Sequence, residues 1–182
     1  MKELSLNILD ITENSVKAGA TLTEITIEES DRTLTITVKD DGCGMSEEKI
    51  RQVTDPFYTT RKTRSVGLGI PLFKLAAEQT GGEITIASET AEDNPASHGT
   101  TVSALFYKDH LDFTPLGDVV SSIVTLIQGH PDTDFLFLHK KSGGEVRLDT
   151  RELRQVLEEV PINNYEVLNW IKDNLEEQYS LI

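Results

Sequence analysis

The chain has 182 residues, 37% of them hydrophobic and 6% aromatic, enough for one mainly aliphatic domain or one domain with an appendage. Seventeen basic against thirty-one acidic residues give a net charge of −14, which repels nucleic acid and anionic membranes alike. No apolar run approaches the ~18–20 residues of a membrane span, and Met1-Lys2-Glu3-Leu4-Ser5 lacks a signal peptide's apolar stretch. The single cysteine, Cys43, excludes an internal disulfide and a multi-thiolate zinc site, so a reduced, cytoplasmic protein is expected.

Leu4, Ile8, Ile11 and Ser15 with Ala18 trace one face of a first helix, and Gly19 ends it as a C′ glycine. Ile25 and Ile27, a turn at Ser30-Asp31-Arg32, then Leu34, Ile36 and Val38 alternate as a β-hairpin. A glycine-rich loop spans 40–45, and Ser46 with Glu47 and Glu48 opens a short helix. Leu68 to Gln79 reads as a helix with Pro71 in its first turn. Ile84 and Ile86 mark one strand and Thr101 to Phe106 another. Antiparallel pairs with helices between them predict an α+β, two-layer α/β sandwich over residues 1–109. Residues 110–182 form a smaller α/β appendage: a helix from Pro115 to Gln128, a hairpin turning at Ser142-Gly143-Gly144, and two helices separated by Pro161. Thr150 is the expected cap of the first of these two, and Asn163 or Asn164 of the second.

Four clusters carry candidate chemistry. Asp10 and Asn14 lie four apart on one face of the first helix. They could be surface decoration, or they could hold a magnesium ion through the Asn oxygen and a water through the Asp. In Asp40-Asp41-Gly42-Cys43-Gly44-Met45, a strand ends in two carboxylates and two glycines free the backbone to turn. This is a solvent turn or a ligand loop; it lacks the alternating oxygen ligands of a calcium loop. Arg61-Lys62-Thr63-Arg64-Ser65-Val66-Gly67-Leu68-Gly69 runs three cations into Gly-x-Gly at a helix start, where free amides favour phosphate. Gly99-Thr100-Thr101 opens a strand. No strand precedes the Gly-x-Gly and a third glycine is absent, so the pattern is neither Rossmann nor Walker A.

Taken in order, these clusters resemble the GHKL (Bergerat-fold) ATP-binding domains of DNA gyrase, the large heat-shock chaperone, sensor histidine kinases and MutL. Asp10-Ile11-Thr12-Glu13-Asn14-Ser15 with Ala18-Gly19-Ala20 resembles the N box, and Asp40 to Met45 the first glycine box. Asp55-Pro56-Phe57-Tyr58-Thr59-Thr60-Arg61 and Gly67-Leu68-Gly69-Ile70 resemble the phenylalanine and second glycine boxes. Gly81-Gly82 and Gly99-Thr100-Thr101 match the closing elements, so the resemblance spans residues 4–107.

The resemblance implies a set of roles. Asn14 ligates magnesium, and Asp40 accepts the adenine amino group. Gly42 and Gly44 shape the loop, Gly44 letting the base approach. Thr100 supports Asp40 through its hydroxyl or a water. Arg61 and the stretch Ser65, Val66, Gly67, Leu68 and Gly69 contact phosphate from a mobile lid. Ser65-Val66 stands where histidine kinases carry Gly-Thr, and β-branched Val66 stiffens that lid. Only three residues precede the first helix, so an autophosphorylating histidine kinase with its own acceptor hairpin is not expected. A carboxylate at Asp10 instead resembles gyrase, MutL and the anti-sigma-factor serine kinases, making Asp10 the candidate base and Glu13 a weaker one that orients a water. The implied function is a Mg·ATP-dependent protein kinase of the anti-sigma type or an ATPase switch. The alternative is a non-catalytic nucleotide sensor or detached kinase module that docks through residues 110–182. A protein partner is expected, nucleic acid and membrane are not, and a homodimer stays open.

Overall fold

The computed structural model describes residues 3–55 and 68–182. Helix α1 (Leu4–Lys17) is followed by the hairpin β1 (Leu22–Glu29) and β2 (Thr33–Asp40), then α2 (Glu47–Thr54) and α3 (Gly69–Gln79). Strands β3 (Glu83–Glu89) and β4 (Gly99–Tyr107) close the first segment. The second contains α4 (Val119–Gly129), β5 (Asp134–Lys141), β6 (Gly144–Asp149), α5 (Thr150–Leu157) and α6 (Tyr165–Ser180).

All six strands form one sheet in the order β3-β4-β2-β1-β5-β6. Alternation drives it: Ile25 and Ile27, Leu34, Ile36 and Val38, Val102, Ala104 and Phe106, and Phe135 and Phe137 are buried, and their strand neighbours are not. The buried side packs on the apolar stripe of α1 (Leu4, Ile8, Ile11) and on Phe73 and Ala77 of α3. Ile123, Leu126 and Ile127 of α4 and Leu168, Ile171 and Leu175 of α6 continue the same core. Phe73 and Phe106 tilt against each other with ring centroids 5.6 Å apart. The other face is left open, with polar pairs such as Thr37 Oγ1 and Ser103 Oγ at 2.8 Å.

Several expectations about elements differ from the structure, each for a local reason. The antiparallel pairs read for residues 1–109 are present, and the unforeseen feature is that β5 joins them parallel to β1 over Leu22–Glu28 and Asp134–Lys140, which makes the whole sheet mixed. The segment read as an appendage therefore extends the same sheet and core. Helix α4 starts at Val119, not Pro115, because the carbonyls of Pro115 and Leu116 accept the first amides of α1, from Leu4 and Ser5, at 2.9 and 2.8 Å. Gly117 then turns at φ +77°, and Asp118 caps α4 through Ser121 N. Asp149 rather than Thr150 caps α5, accepting from Arg151 N, whereas the Thr150 hydroxyl ties Phe135 N to Asp134. Ser46 caps α2 and Asn164 caps α6.

A buried polar cluster fastens α6 to the sheet. His139 accepts from the Tyr179 hydroxyl at Nδ1 (2.7 Å) and donates from Nε2 to Glu29 (3.2 Å), whose other oxygen accepts from Lys108 at 2.7 Å. Burial pushes the His139 pKa below 6.5; Glu29 opposes the shift, and Lys141 and Lys108 reinforce it. Burial would raise the Glu29 carboxyl, but Lys108, His139 and Lys141 bring it below 4.5.

Two predictions follow from one core and one buried histidine. Phe73→Ala and Phe137→Ala, on opposite sides of residue 110, should each remove about 3–5 kcal/mol from a single cooperative unfolding transition seen by urea titration; separate transitions would show that the segments fold apart. As pH falls below 6.5, the unfolded chain takes a proton at His139 that the folded chain refuses, so stability should decline from there downward, and more steeply below 4.5 as Glu29 protonates. His139→Gln should flatten the first part of that slope.

Candidate functional site

Strand β2 ends at Asp40 beside α1, and the side chain is held by three donors from three different elements. Ser15 Oγ of α1 donates to Oδ2 at 2.6 Å, and Gly42 N of the following turn donates to Oδ1 at 2.9 Å. Thr100 N of β4 also donates to Oδ1, at 3.2 Å. A carboxylate has about four acceptor positions, so one on Oδ2 stays open. The Thr100 hydroxyl makes no direct bond to Asp40, one of the two routes expected; it pairs with Ser88 Oγ at 2.8 Å, which donates to the Gly99 carbonyl and accepts from Met45 N. Thr100 therefore supports Asp40 through its backbone.

Asp40 lies in the wall of a cleft of about 280 Å³. Its apolar lining comes from Ile11 of α1, Val53 of α2, Ile70 of α3 and Val102 of β4. Asn14, Cys43, Gly44 and Thr100 complete the part foreseen from sequence. The Asn14 carboxamide has no hydrogen-bond partner among the described residues and is available to a ligand or a hydrated cation. Lys17 and Lys49 also line the cleft and were missed. Helical spacing could have found Lys17, three residues beyond Asn14, but no local pattern marked Lys49. Among the described lysines and arginines, only Lys17, Lys49 and Lys141 form no ion pair with a carboxylate.

The glycines are fixed by neighbouring backbone. A Cβ at Gly44, where φ is +72°, would overlap the Glu89 carbonyl, so the close approach is to β3. Gly42 leaves no room for a Cβ between Ala18 and Asp40. Its carbonyl accepts from His98 Nδ1 at 2.6 Å, a clamp on the turn that sequence reading did not foresee. Asp41 points away from the cleft and holds Thr21 N and Leu22 N at the start of β1, bonds that lower its pKa against the effect of burial.

Asp10 and Glu13 are not part of the cleft lining. Asp10 is exposed as a residue but packs at the start of α3, where a Cβ at Gly69 would stand 3.1 Å from its own. Desolvation raises its pKa, Glu13 adds to the rise, and Lys17 opposes it. Glu13 accepts from His130 Nε2 at 2.7 Å, bracing α1 against the end of α4 rather than facing the cleft. Leu68 is exposed at the N-cap of α3. Arg61, Ser65, Val66 and Gly67 lie outside the described residues.

The family model for histidine kinase-, DNA gyrase B-, and HSP90-like ATPases matches residues 2–110, more than half of the chain. The chain belongs to this family. Sporulation kinase C of Bacillus subtilis is 33% identical over 92 residues, covering 50% of this chain and 21% of that protein. The tetrathionate sensor histidine kinase TtrS of Salmonella typhimurium is 32% identical over 103 residues, 57% of this chain and 17% of that protein. The chain thus spans about a fifth of the length of these relatives. Among solved structures, the Aquifex aeolicus MutL ATPase domain complexed with ADP shares the fold at a TM-score of 0.54 and 16% identity, covering 87% of this chain and 70% of that one. The N-terminal domain of a DNA repair protein matches at the same TM-score and identity over 82% of this chain and 53% of its own. The fold likeness therefore extends past the family match into residues 110–182. No helix among the described residues is long and apolar enough to cross a membrane.

The bonding around Asp40 separates two threonine and serine roles. Ser15→Ala should lower stability by about 1.5–3 kcal/mol in urea unfolding, because it removes a hydrogen bond to a carboxylate. Thr100→Val should leave the Asp40 contacts intact, because the Thr100 donor is its backbone, and should cost less.

Proposed function

We propose that the chain binds Mg·ATP in this cleft and transfers the γ-phosphate to a hydroxyl of a partner protein, in the manner of an anti-sigma-type serine kinase. The observation that carries this reading is the cleft's donor and acceptor set. Asp40 has an acceptor position open to an amino-bearing base, the Asn14 carboxamide is unpartnered, and two lysines without ion pairs stand beside them. An apolar wall with a few convergent polar groups is what a purine nucleotide requires.

The residues fit a magnesium ion of the kind that keeps most of its waters and leans on nucleotide phosphates. Asn14 supplies one neutral oxygen, and no group of three or more His, Cys, Asp or Glu side chains forms a metal cage among the described residues. Magnesium held there would neutralise phosphate charge and orient the reacting group. Asp40 selects the base by accepting from its amino group, which a purine with a carbonyl at that place cannot offer. Lys17 and Lys49 draw the polyphosphate by charge, in a molecule whose net charge of −14 otherwise repels it. Asp10, which does not line the cleft but lies one helical turn before Asn14, is the group proposed to take the proton of a hydroxyl presented at the cleft's edge, and the desolvation that raises its pKa suits that role. The kinase names of the curated relatives support phosphate transfer to protein.

A second reading, hydrolysis that switches the shape of the molecule, is favoured by the likeness to the MutL ATPase domain over 87% of the chain. Asp10 would then take its proton from water. γ-Labelled Mg·ATP, supplied with and without cell lysate and with Asn14→Ala as the blank, distinguishes the two. Label on a protein identifies a kinase and its partner, label released as phosphate identifies the switch, and label left on bound ATP identifies a nucleotide sensor.

Asp10→Asn should abolish turnover while ATP affinity stays within about twofold by calorimetry; surviving turnover would show that Asp10 is not the base. ATP at about 100 Kd should add roughly 2.7 kcal/mol to wild-type stability, and Asp40→Ala should remove that gain.

A further inference from the structure

The sheet has two edges, β3 and β6, and the molecule treats them differently. On β6 the outward backbone groups of Arg147 are closed by a side chain. Gln178 of α6 accepts from Arg147 N at 2.8 Å and donates to Arg147 O at 3.1 Å, standing in for the peptide of a neighbouring strand. Asn174 Oδ1 holds the same carboxamide at 2.8 Å. That is an edge blocked against further pairing.

Among the described residues, no side chain closes the backbone of β3 in this way; only its far end is packed, where the turn at residues 43–45 lies against Ser88 and Glu89. Strand β3 pairs with β4 in unbroken register from Glu83↔Leu105 to Glu89↔Gly99, with no bulge and no proline. Outside that ladder, none of its backbone N–H or C=O groups finds a partner among the described residues. Thr85 and Ala87 are exposed, and Ile84 and Ile86 are half-buried. The usual guards of an edge, a central lysine or an inward charge, are missing from residues 84–88. Charge sits only at the ends. Glu83 and Glu89 share one face of the strand, and Glu92 and Asp93 follow, with no cation between 83 and 93. Glu89 is pinned by Asn94 Nδ2 at 2.7 Å.

We infer that β3 is a docking edge for an extended, basic segment of a partner protein, which adds to the sheet as a seventh strand. The open backbone supplies the hydrogen bonds of strand addition, and the acidic ends supply the selectivity. Charge also selects against the simplest competitor. Two copies of this chain pairing β3 to β3 about a two-fold axis would set Glu83 opposite Glu89 at both ends, between molecules of net charge −14 each. A segment with an uncharged β-forming centre and a lysine or arginine at each end meets both demands. Docking at β3 does not rest on the nucleotide reading, although β3 touches the cleft-lining residues Gly44, Met45 and Thr100 through Ser88 and Glu89.

The probe is a synthetic seven-residue peptide of alternating valine and threonine with lysine at both ends, titrated to millimolar concentration against the whole chain and followed by amide NMR shifts and hydrogen exchange. The expected result is shifts centred on residues 83–89 with slowed exchange at alternate β3 amides, weakening as salt is raised. The same peptide with glutamate at its ends should bind about tenfold or more weakly. Thr85→Lys, a change at an exposed position that leaves the fold's unfolding midpoint unchanged, should abolish the effect. No shift at millimolar peptide, shifts elsewhere, or equal binding of the two peptides would overturn the proposal. Sedimentation of the free chain as a dimer that Thr85→Lys dissociates would overturn it in favour of a second copy.

Discussion

The architecture around the cleft turns on one half-buried carboxylate. Asp40 ends a strand, and its bonds to Ser15, Gly42 and Thr100 draw together a helix, a turn and a neighbouring strand. An acceptor-only group in that position is costly unless donors surround it. The glycines follow from the same crowding: a Cβ at Gly99 would overlap the Asp40 carbonyl, and one at Gly42 would meet Asp40 Oδ1 at 3.0 Å. The conformations that look like provision for a ligand are first the conditions for packing backbone against Asp40. The ligand site is what that packing leaves open.

Legibility in the sequence tracked the range of the interaction. Period-two alternation at Ile25 and Ile27, or at Leu34, Ile36 and Val38, marked strands because one face of each is buried. Ser46 and Asn164 announced their helices because capping is local. The family boxes brought Asn14, Asp40, Gly44 and Thr100 to one cleft wall, and the structure places them there. What failed was long-range. Nothing near Pro115 shows that its carbonyl serves the first turn of α1, so sequence reading begins α4 four residues too early. Nothing near Phe135 shows that β5 pairs parallel with β1 across more than a hundred residues. Glu13 looked like a cleft acid because its partner, His130, lies far along the chain. Thr100 drew attention for its hydroxyl, while the bond that matters comes from a backbone group every residue but proline has.

The C-terminal segment holds the cleft helix through these same long-range bonds. Helix α1 carries Asn14, Ser15 and Lys17, one wall of the cleft. Residues from the second segment grip it at two places: the carbonyls of Pro115 and Leu116 hold its first turn, and His130 holds Glu13 one turn before the cleft residues end. The segment also covers the β1 edge with β5, and α6 is fastened to that strand through Tyr179 and His139. Residues 110–182 therefore touch directly the helix that carries one wall of the cleft.

Electrostatics give the site its contrast with the rest of the molecule. Elsewhere, cations are absorbed by the acidic excess: Arg147, Arg151 and Arg154 are tied to Glu152, Asp149 and Asp134, and Lys108 to Glu29. The exposed ones among such pairs contribute little stability, but together the pairs leave few of the described positive charges free. Lys17 and Lys49 are free, and both stand at the cleft beside an unpartnered carboxamide. In a chain of net charge −14, two unpaired lysines at the cleft are a local exception to the acidic surplus. The same acidity that makes unpaired cations scarce suits the opposite charge at the β3 edge. One global property, the surplus of carboxylates, acquires two local meanings because the fold decides where cations remain unpaired and where backbone remains unpaired.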